Sequence, residues 1–206
     1  MDEELREVGE EKDLGVVIDR ELKFSGHLAE KIKKANRIVG LIRRTFVTLD
    51  ESIFKLLYVA LVRPHLEYAN QVWCPSKKKD ISAVEGVQRR ATKLLPNLKN
   101  LPYPERLRKL GIPTLAYRRS RGDMIETFKI VNGVYDDSVC GGLFVRSDRA
   151  TRGHGKKLYK QRARLNIRKD AFCNRVVNRW NSFPDSVVNS TIDYSLRYRE
   201  LESQAQ

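Results

Sequence analysis

The residues most suggestive of chemistry are Tyr135-Asp136-Asp137, two adjacent carboxylates behind an aromatic ring. Such a pair can hold divalent cations for phosphoryl transfer if a tight β-turn presents it and a further carboxylate arrives from another strand. Here the pair follows Asn132-Gly133, directly after a helical pattern, and it precedes Gly141 and Gly142 rather than a β-rich run. Nothing in the sequence brings Asp13 or Asp19 close enough to complete the set. A solvated loop is therefore expected. The enzymatic alternative is metal-dependent phosphoryl transfer at Asp136 and Asp137, with Mg²⁺-dependent extension or cleavage that Asp136→Asn abolishes. Zinc is the other metal to weigh. Cys74, Cys140, Cys173, His27, His65 and His154 contain no C-x₂₋₄-C or H-x₃₋₅-H pair, the spacing through which one turn offers two ligands. No G-x-S-x-G, G-x-x-x-x-G-K-[ST] or G-x-G-x-x-G occurs, so hydrolase, P-loop and dinucleotide readings lack their defining parts. No metal site, cofactor or small-molecule substrate is expected, and lone histidines such as His65 read as structural.

What remains is cationic. The net charge is +14, and it is unevenly spread. Residues 1–76 hold 12 Lys+Arg against 13 Asp+Glu, residues 77–170 hold 24 against 9, and residues 171–206 hold 4 against 4. Charge confined to one stretch is a footprint for a polyanion, whereas an even scatter would only confer solubility. The basic helices lack the Trp/Phe/Leu-rich opposite face of an interfacial helix, so no membrane partner is expected. Thr151-Arg152-Gly153-His154-Gly155-Lys156-Lys157-Leu158-Tyr159 combines cations, flexible backbone N–H groups and a stackable ring, a composition suited to phosphate contacts with base or sugar stacking. The plain alternative is a flexible basic loop with no fixed partner.

These residues must be carried by a fold, and 41% apolar content is enough to bury a core. The acidic first twelve residues lack the apolar stretch of a signal peptide and read as a frayed lead. The longest apolar run, residues 56–62, is too short to span a bilayer. Three scattered cysteines read as free thiols in a reducing compartment, giving a cytoplasmic or nuclear address. Leu14-Gly15-Val16-Val17-Ile18-Asp19 predicts one short strand. Leu28, Ile32, Ala35, Ile38, Leu41, Ile42 and Thr45 fall at helical spacing behind Ser25 as a cap, with Lys33, Lys34, Arg37 and Arg44 on the opposite face. Thr48 and Glu51 have capping-box spacing, and Ile53, Leu56, Leu57, Ala60 and Leu61 predict a buried stripe that Pro64 kinks or ends. Asp80 is placed to cap a third helix with core side Ile81, Val84, Val87, Ala91 and Leu94, carrying Arg89, Arg90 and Lys93 on other faces. A short helix follows Pro102 and ends at Gly111, and the next runs from Pro113 to about Val131. Residues 133–170 read as a loop or extended arm. Periodicity returns at Phe172, Val176, Val177 and Trp180, and a last helix is expected over residues 193–201. Trp73, Trp180, Tyr58 and Tyr68 read as core.

Taken in order, several strings resemble one family. Leu14-Gly15-Val16-Val17-Ile18-Asp19 through Phe24, then Leu61-Val62-Arg63-Pro64-His65-Leu66-Glu67-Tyr68-Ala69 with Trp73 and Pro75, are similar to the region after the catalytic palm of LINE-type (non-LTR) retrotransposon reverse transcriptases, jockey-like clade. Val87-Gln88-Arg89-Arg90-Ala91-Thr92-Lys93, Leu110-Gly111-Ile112-Pro113-Thr114-Leu115 and Arg118-Arg119-Ser120-Arg121-Gly122-Asp123-Met124 resemble its thumb and post-thumb segments. So do Thr151-Arg152-Gly153-His154, Arg175-Val176-Val177-Asn178-Arg179-Trp180-Asn181 and Phe183-Pro184-Asp185-Ser186-Val187-Val188. The resemblance covers about residues 12–200.

It implies a mainly α fold in four parts: an acidic lead and last palm strand (1–24), a thumb-like helical bundle (25–95), a helical post-thumb (96–132), and a basic loop or arm with C-terminal helices (133–206). The implied parent enzyme is an Mg²⁺-dependent RNA-directed DNA polymerase whose palm aspartates, fingers and endonuclease lie upstream of Met1, so no catalytic residue carries over. The expected role is non-catalytic: backbone contacts to RNA or DNA, template–primer or target, through Lys33, Lys34, Arg37, Arg44, Arg89, Arg90, Lys93, Arg118, Arg119, Arg121, Arg152, Lys156 and Lys157. The alternative is a truncated or host-adopted fragment acting as a protein-interaction module. Its apolar surface around residues 56–66 would meet the missing polymerase half.

Overall fold

Leu14 and Gly15 sit at φ 43° and 82°, both left-handed. That pair reverses the chain in two residues and sets β1 (Glu10–Asp13) antiparallel to β2 (Val16–Asp19), with Asp13 opposite Val16 and Glu10 opposite Asp19. The expected single strand behind a frayed lead is thus corrected to a hairpin. All four β1 side chains are exposed, so no apolar alternation announces that strand in the sequence.

The computed structural model describes residues 8–147 and 153–190. The protein is mainly helical, the hairpin being the one sheet among the described residues. The chain forms two units, Met1–Arg121 and Gly122–Gln206. No helix among the described residues is long and apolar enough to cross a membrane. None of the three cysteines forms a disulfide.

In the first unit α1 (Ser25–Thr45) opens on Phe24 in the left-handed region, without the Ser25 cap that the sequence suggests. The entry turn is organised by Asp19 instead. Its carboxylate accepts from the backbone N–H groups of Glu21, Lys23 and Phe24 at 3.1, 3.0 and 2.5 Å. Partial burial alone would raise its pKa; these N–H donors together carry it below the ordinary value.

Next comes α2 (Glu51–Leu57), capped by Asp50, whose carboxylate accepts from Ile53 N–H at 2.7 Å. This replaces the Thr48–Glu51 capping box. A π-helical turn (Tyr58–Val62) leads into α3 (Pro64–Glu67). The buried residues here are Phe54, Tyr58, Val62 and Leu66, not the stripe expected from the sequence. Leu56 is 69% exposed, and Ile53, Ala60 and Leu61 also face solvent. A four-residue step drifts about 40° on an ordinary α-helix. The wider π turn, closed by Arg63 N–H to the Tyr58 carbonyl, counters the drift and keeps the row on one face. It also delivers the chain to Pro64 at the start of α3, where a missing N–H costs nothing.

After α4 (Asn70–Trp73) comes α5 (Lys78–Ala91), which buries Val84, Val87 and Ala91 as its spacing requires. Lys77 occupies its N-cap, while Asp80 lies in the first turn, corrected from the capping role. α6 (Tyr103–Leu110) ends at Gly111 with φ 60°, the C′ glycine expected. α7 (Leu115–Val131) starts with Thr114 Oγ1 accepting from Tyr117 N–H at 3.1 Å. Trp73 and Tyr58 join the first core, whereas Tyr68 is 56% exposed and donates its hydroxyl to the Leu14 carbonyl.

The unit boundary falls within α7. In the second unit Met124, Phe128 and Val131 of that helix form a core with Leu158, Val176, Val177, Trp180 and Val188. The supporting elements are short: α8 (Asp137–Cys140), α9 (Asn166–Asp170), α10 (Phe172–Arg175), α11 (Val177–Asn181) and α12 (Asp185–Val188). Among the described residues of 133–170, α8, α9 and an antiparallel bridge between Arg146 and Leu158 interrupt a segment that is otherwise loop, and Leu158 is buried. Arg152 and the helix expected over residues 193–201 lie outside the described residues.

Candidate nucleic-acid interface

On α1 the row Lys33, Arg37, Gly40, Arg44 advances by four, three and four residues, so its cations share one face over about 16 Å. Lys34 flanks that row. All four cations are exposed, and none has an ion-pair partner among the described residues. The helix is held in place from behind by Leu28, Ala35, Val39 and Ile42 in the core.

A second helix adds to this surface. Arg90 of α5 donates through Nε and Nη2 to Asn36 Oδ1, at 3.1 and 2.9 Å, which fixes its guanidinium alongside α1. Arg89 lies over the Tyr103 ring at 5.2 Å, and Lys93 is exposed. Stacking on an aromatic face fixes an arginine's plane without neutralising its charge.

The α7 arginines are engaged differently. Arg118 grips Glu67 through two hydrogen bonds, and the Glu67 partner raises its pKa further. Arg63 also contacts Glu67, at 3.6 Å. Arg119 is buried and Arg121 is half-buried. These side chains lie within the fold to a degree that the α1 cations do not.

Behind the cationic faces sits a buried polar network. Tyr58 donates its hydroxyl to Gln88 Oε1 at 2.5 Å, and Gln88 Nε2 donates to the Tyr103 hydroxyl and the Pro113 carbonyl, both at 3.0 Å. Tyr103 in turn donates to Glu85, whose carboxylate also accepts from Leu115 N–H at 3.0 Å and Ala116 N–H at 3.4 Å. Burial is the main reason that both phenols resist ionisation, with carboxylate Glu85 contributing. The network locks α5, α6 and the start of α7 together, and its members are saturated by one another, an arrangement suited to positioning.

In the second unit the Gly153-to-Tyr159 stretch is built in. His154 is 2% exposed, with Nε2 3.2 Å from the Trp180 carbonyl. Trp180 Nε1 donates to the Lys156 carbonyl at 2.8 Å, and Lys156 Nζ donates to Asn132. Asn181 pairs with both backbone groups of Leu158. Lys156 and Lys157 are half-buried, and Tyr159 is 52% exposed. Asp136 is spent locally, capping α8 by accepting from Ser138 N–H at 2.8 Å, and both Asp136 and Asp137 are exposed.

Four further cations belong to no motif of the sequence, Lys160, Arg162, Arg164 and Lys169, and they group around one concavity. A charge signal was available for them. Between Asp148 and Asp170 the sequence has nine Lys+Arg and no carboxylate. The chain matches no family model, curated protein or solved structure.

Proposed function

We propose that this chain is the thumb and post-thumb region of a LINE-type reverse transcriptase, and that it holds template–primer or target nucleic acid by its backbone without performing chemistry itself. The observation that carries this reading is the α1 surface, where Lys33, Arg37 and Arg44 line one face with Lys34 beside them and Arg90 fixed alongside by Asn36. A row of unneutralised cations on a rigid helix meets regularly spaced phosphates without reading bases. The ordered family-like strings and the mainly helical fold accord with a thumb, whose helices track a duplex.

Such binding is largely independent of sequence and falls steeply with salt, because each neutralised phosphate releases counterions. A filter-binding titration of the chain against salt, with duplex and single-stranded probes, tests it. Replacing Lys33, Arg37 and Arg44 by Ala is expected to lower the magnitude of the duplex salt slope by about 3. A flat slope for the parent chain would end the idea.

A second reading has its own observation. Ile53, Leu56 and Leu61 expose apolar surface on the segment that leads into Pro64. That face suits a protein contact, such as the polymerase half that the family resemblance implies. Sedimentation tests it: a monomer with no tendency to associate, unaltered by Leu56→Asp, counts against this role.

A further inference from the structure

The hairpin is sealed on one side and open on the other. Along β2 and the turn, outward groups are met from within the first unit. Val17 N–H donates to His27 Nδ1 at 3.1 Å, Tyr68 donates its hydroxyl to the Leu14 carbonyl at 2.9 Å, and Lys31 Nζ donates to the Gly15 carbonyl at 2.9 Å. On β1 the register with β2 turns the backbone groups of Glu11 and Asp13 inward and those of Glu10 and Lys12 outward. No partner among the described residues meets those outward N–H and C=O groups. An open edge of this kind is a template for a further strand.

The side chains restrict which strand the edge accepts. Glu11 and Asp13 leave one face of β1, Glu10 and Lys12 the other, and all four are exposed without an ion-pair partner among the described residues. A second β1 is unsuited, because that pairing sets carboxylate against carboxylate. The complementary pattern lies elsewhere in the same sequence. Lys160-Gln161-Arg162-Ala163 carries cations at alternate positions with neutral side chains between them. This run follows the Arg146–Leu158 bridge, belongs to no helix or sheet, and makes no backbone hydrogen bond to any described residue. It lines the concavity of the second unit, so the space beside it is open.

We infer that the open edge of β1 pairs antiparallel with residues 160–163 of a second copy of this chain, with Asp13 opposite Lys160 and Glu11 opposite Arg162. In that register both carboxylates meet cations on one face, while on the other Lys12 faces Gln161 and Glu10 faces Ala163. No like charges meet. A slip of one residue in either direction sets Lys12 against Lys160 or Arg162, so charge fixes the register where apolar burial does not. The contact is heterologous, one surface meeting a different one, and it either closes in a ring or extends into longer assemblies. It uses neither the α1 cations nor the apolar residues Ile53, Leu56 and Leu61, and it stands apart from the nucleic-acid reading.

Sedimentation equilibrium of the full chain, free of nucleic acid, tests it. Four paired residues make a small contact, so association is expected at about 100 µM chain and should weaken as salt is added. Glu11→Lys/Asp13→Lys and Lys160→Glu/Arg162→Glu are each expected to weaken association about tenfold or more. An equimolar mixture of the two variants should associate again, because each then offers the charge that the other lacks; recovery also shows that both are folded. Gln161→Pro removes an N–H that the pairing directs at the Lys12 carbonyl and leaves every charge in place, so it should weaken association where simple ion pairing would not. The inference is overturned by a parent chain that stays monomeric to about 1 mM, by charge variants that associate like the parent, by a mixture that does not recover, or by Gln161→Pro without effect. Association lost in Leu56→Asp but kept in the β1 variant would assign the contact to α2 and likewise overturn it.

Discussion

The Glu85 carboxylate of α5 accepts a hydrogen bond from the backbone N–H of Leu115, 3.0 Å away, at the first residue of α7. Glu85 is 6% exposed, so a buried charge is compensated by the open N–H groups of a helix terminus and by the Tyr103 hydroxyl. This anchors the start of α7 to the helix that carries Arg89 and Arg90.

Removing that acceptor strands several donors at once. Glu85→Ala is expected to destabilise the first unit by about 3 kcal/mol, since each buried donor left unmet costs about 1–3 kcal/mol. Urea unfolding followed by circular dichroism checks it, and an unchanged midpoint would contradict the anchoring role.

In the second unit Arg175 Nε and Nη2 meet the two oxygens of Asp123 at 2.9 and 3.0 Å, with both side chains largely buried. Arg175→Ala is expected to cost about 3–5 kcal/mol by leaving Asp123 charged and unmatched. Arg175→Lys should rescue it poorly, because an ammonium cannot reproduce the two-pronged geometry. Hydrogen exchange at residues 172–181 provides the readout; protection equal to the parent would rule the effect out.

His27 gives the fold an acid sensitivity. Its Nδ1 accepts from Val17 N–H at 3.1 Å, which requires the unprotonated nitrogen, and the ring is 1% exposed against Trp73. Burial, reinforced by Lys31, lowers its pKa from 6.5. A histidine whose folded pKa is depressed contributes stability above its unfolded pKa, and that contribution is lost as pH falls below 6.5. His65 is shifted in the same direction, again chiefly by burial. The parent is therefore expected to lose stability between pH 7.5 and about 5. His27→Gln should show a shallower dependence in paired urea titrations, and identical slopes would refute the assignment.

The hairpin turn is improvable. Leu14 occupies the left-handed region at a cost that asparagine pays less heavily, and Asn-Gly is the favoured pair for a two-residue turn with both φ values positive. Leu14→Asn is expected to raise stability by about 0.5–1 kcal/mol. The Tyr68 hydroxyl bond to the residue 14 carbonyl survives, since it uses the backbone. Differential scanning calorimetry would expose the opposite result as a fall in Tm.

Much of the helical plan was written locally. Gly111 ends α6, Asn132-Gly133 follows the end of α7, and Val84, Val87 and Ala91 face the core, because caps and 3.6-residue spacing act over one or two turns. The α1 cations could likewise be placed on one face from spacing alone. The short cavity-lining run was harder to read, since charge density without a motif does not say which residues share a concavity.

What the sequence determined by itself is the helical character, the concentration of positive charge in residues 77–170 and the outward placement of Lys33, Arg37 and Arg44. Tertiary structure decided the rest. Residues 53–66 offered two apolar registers, and packing selected Phe54, Tyr58, Val62 and Leu66 because a π turn held that row against one core while Leu56 was left in solvent. It also distinguished cations of identical type, binding Arg118 to Glu67 and Arg175 to Asp123 while leaving Arg162 and Arg164 exposed. Spacing fixes the direction in which a side chain leaves its helix, but only long-range packing decides whether a carboxylate waits there.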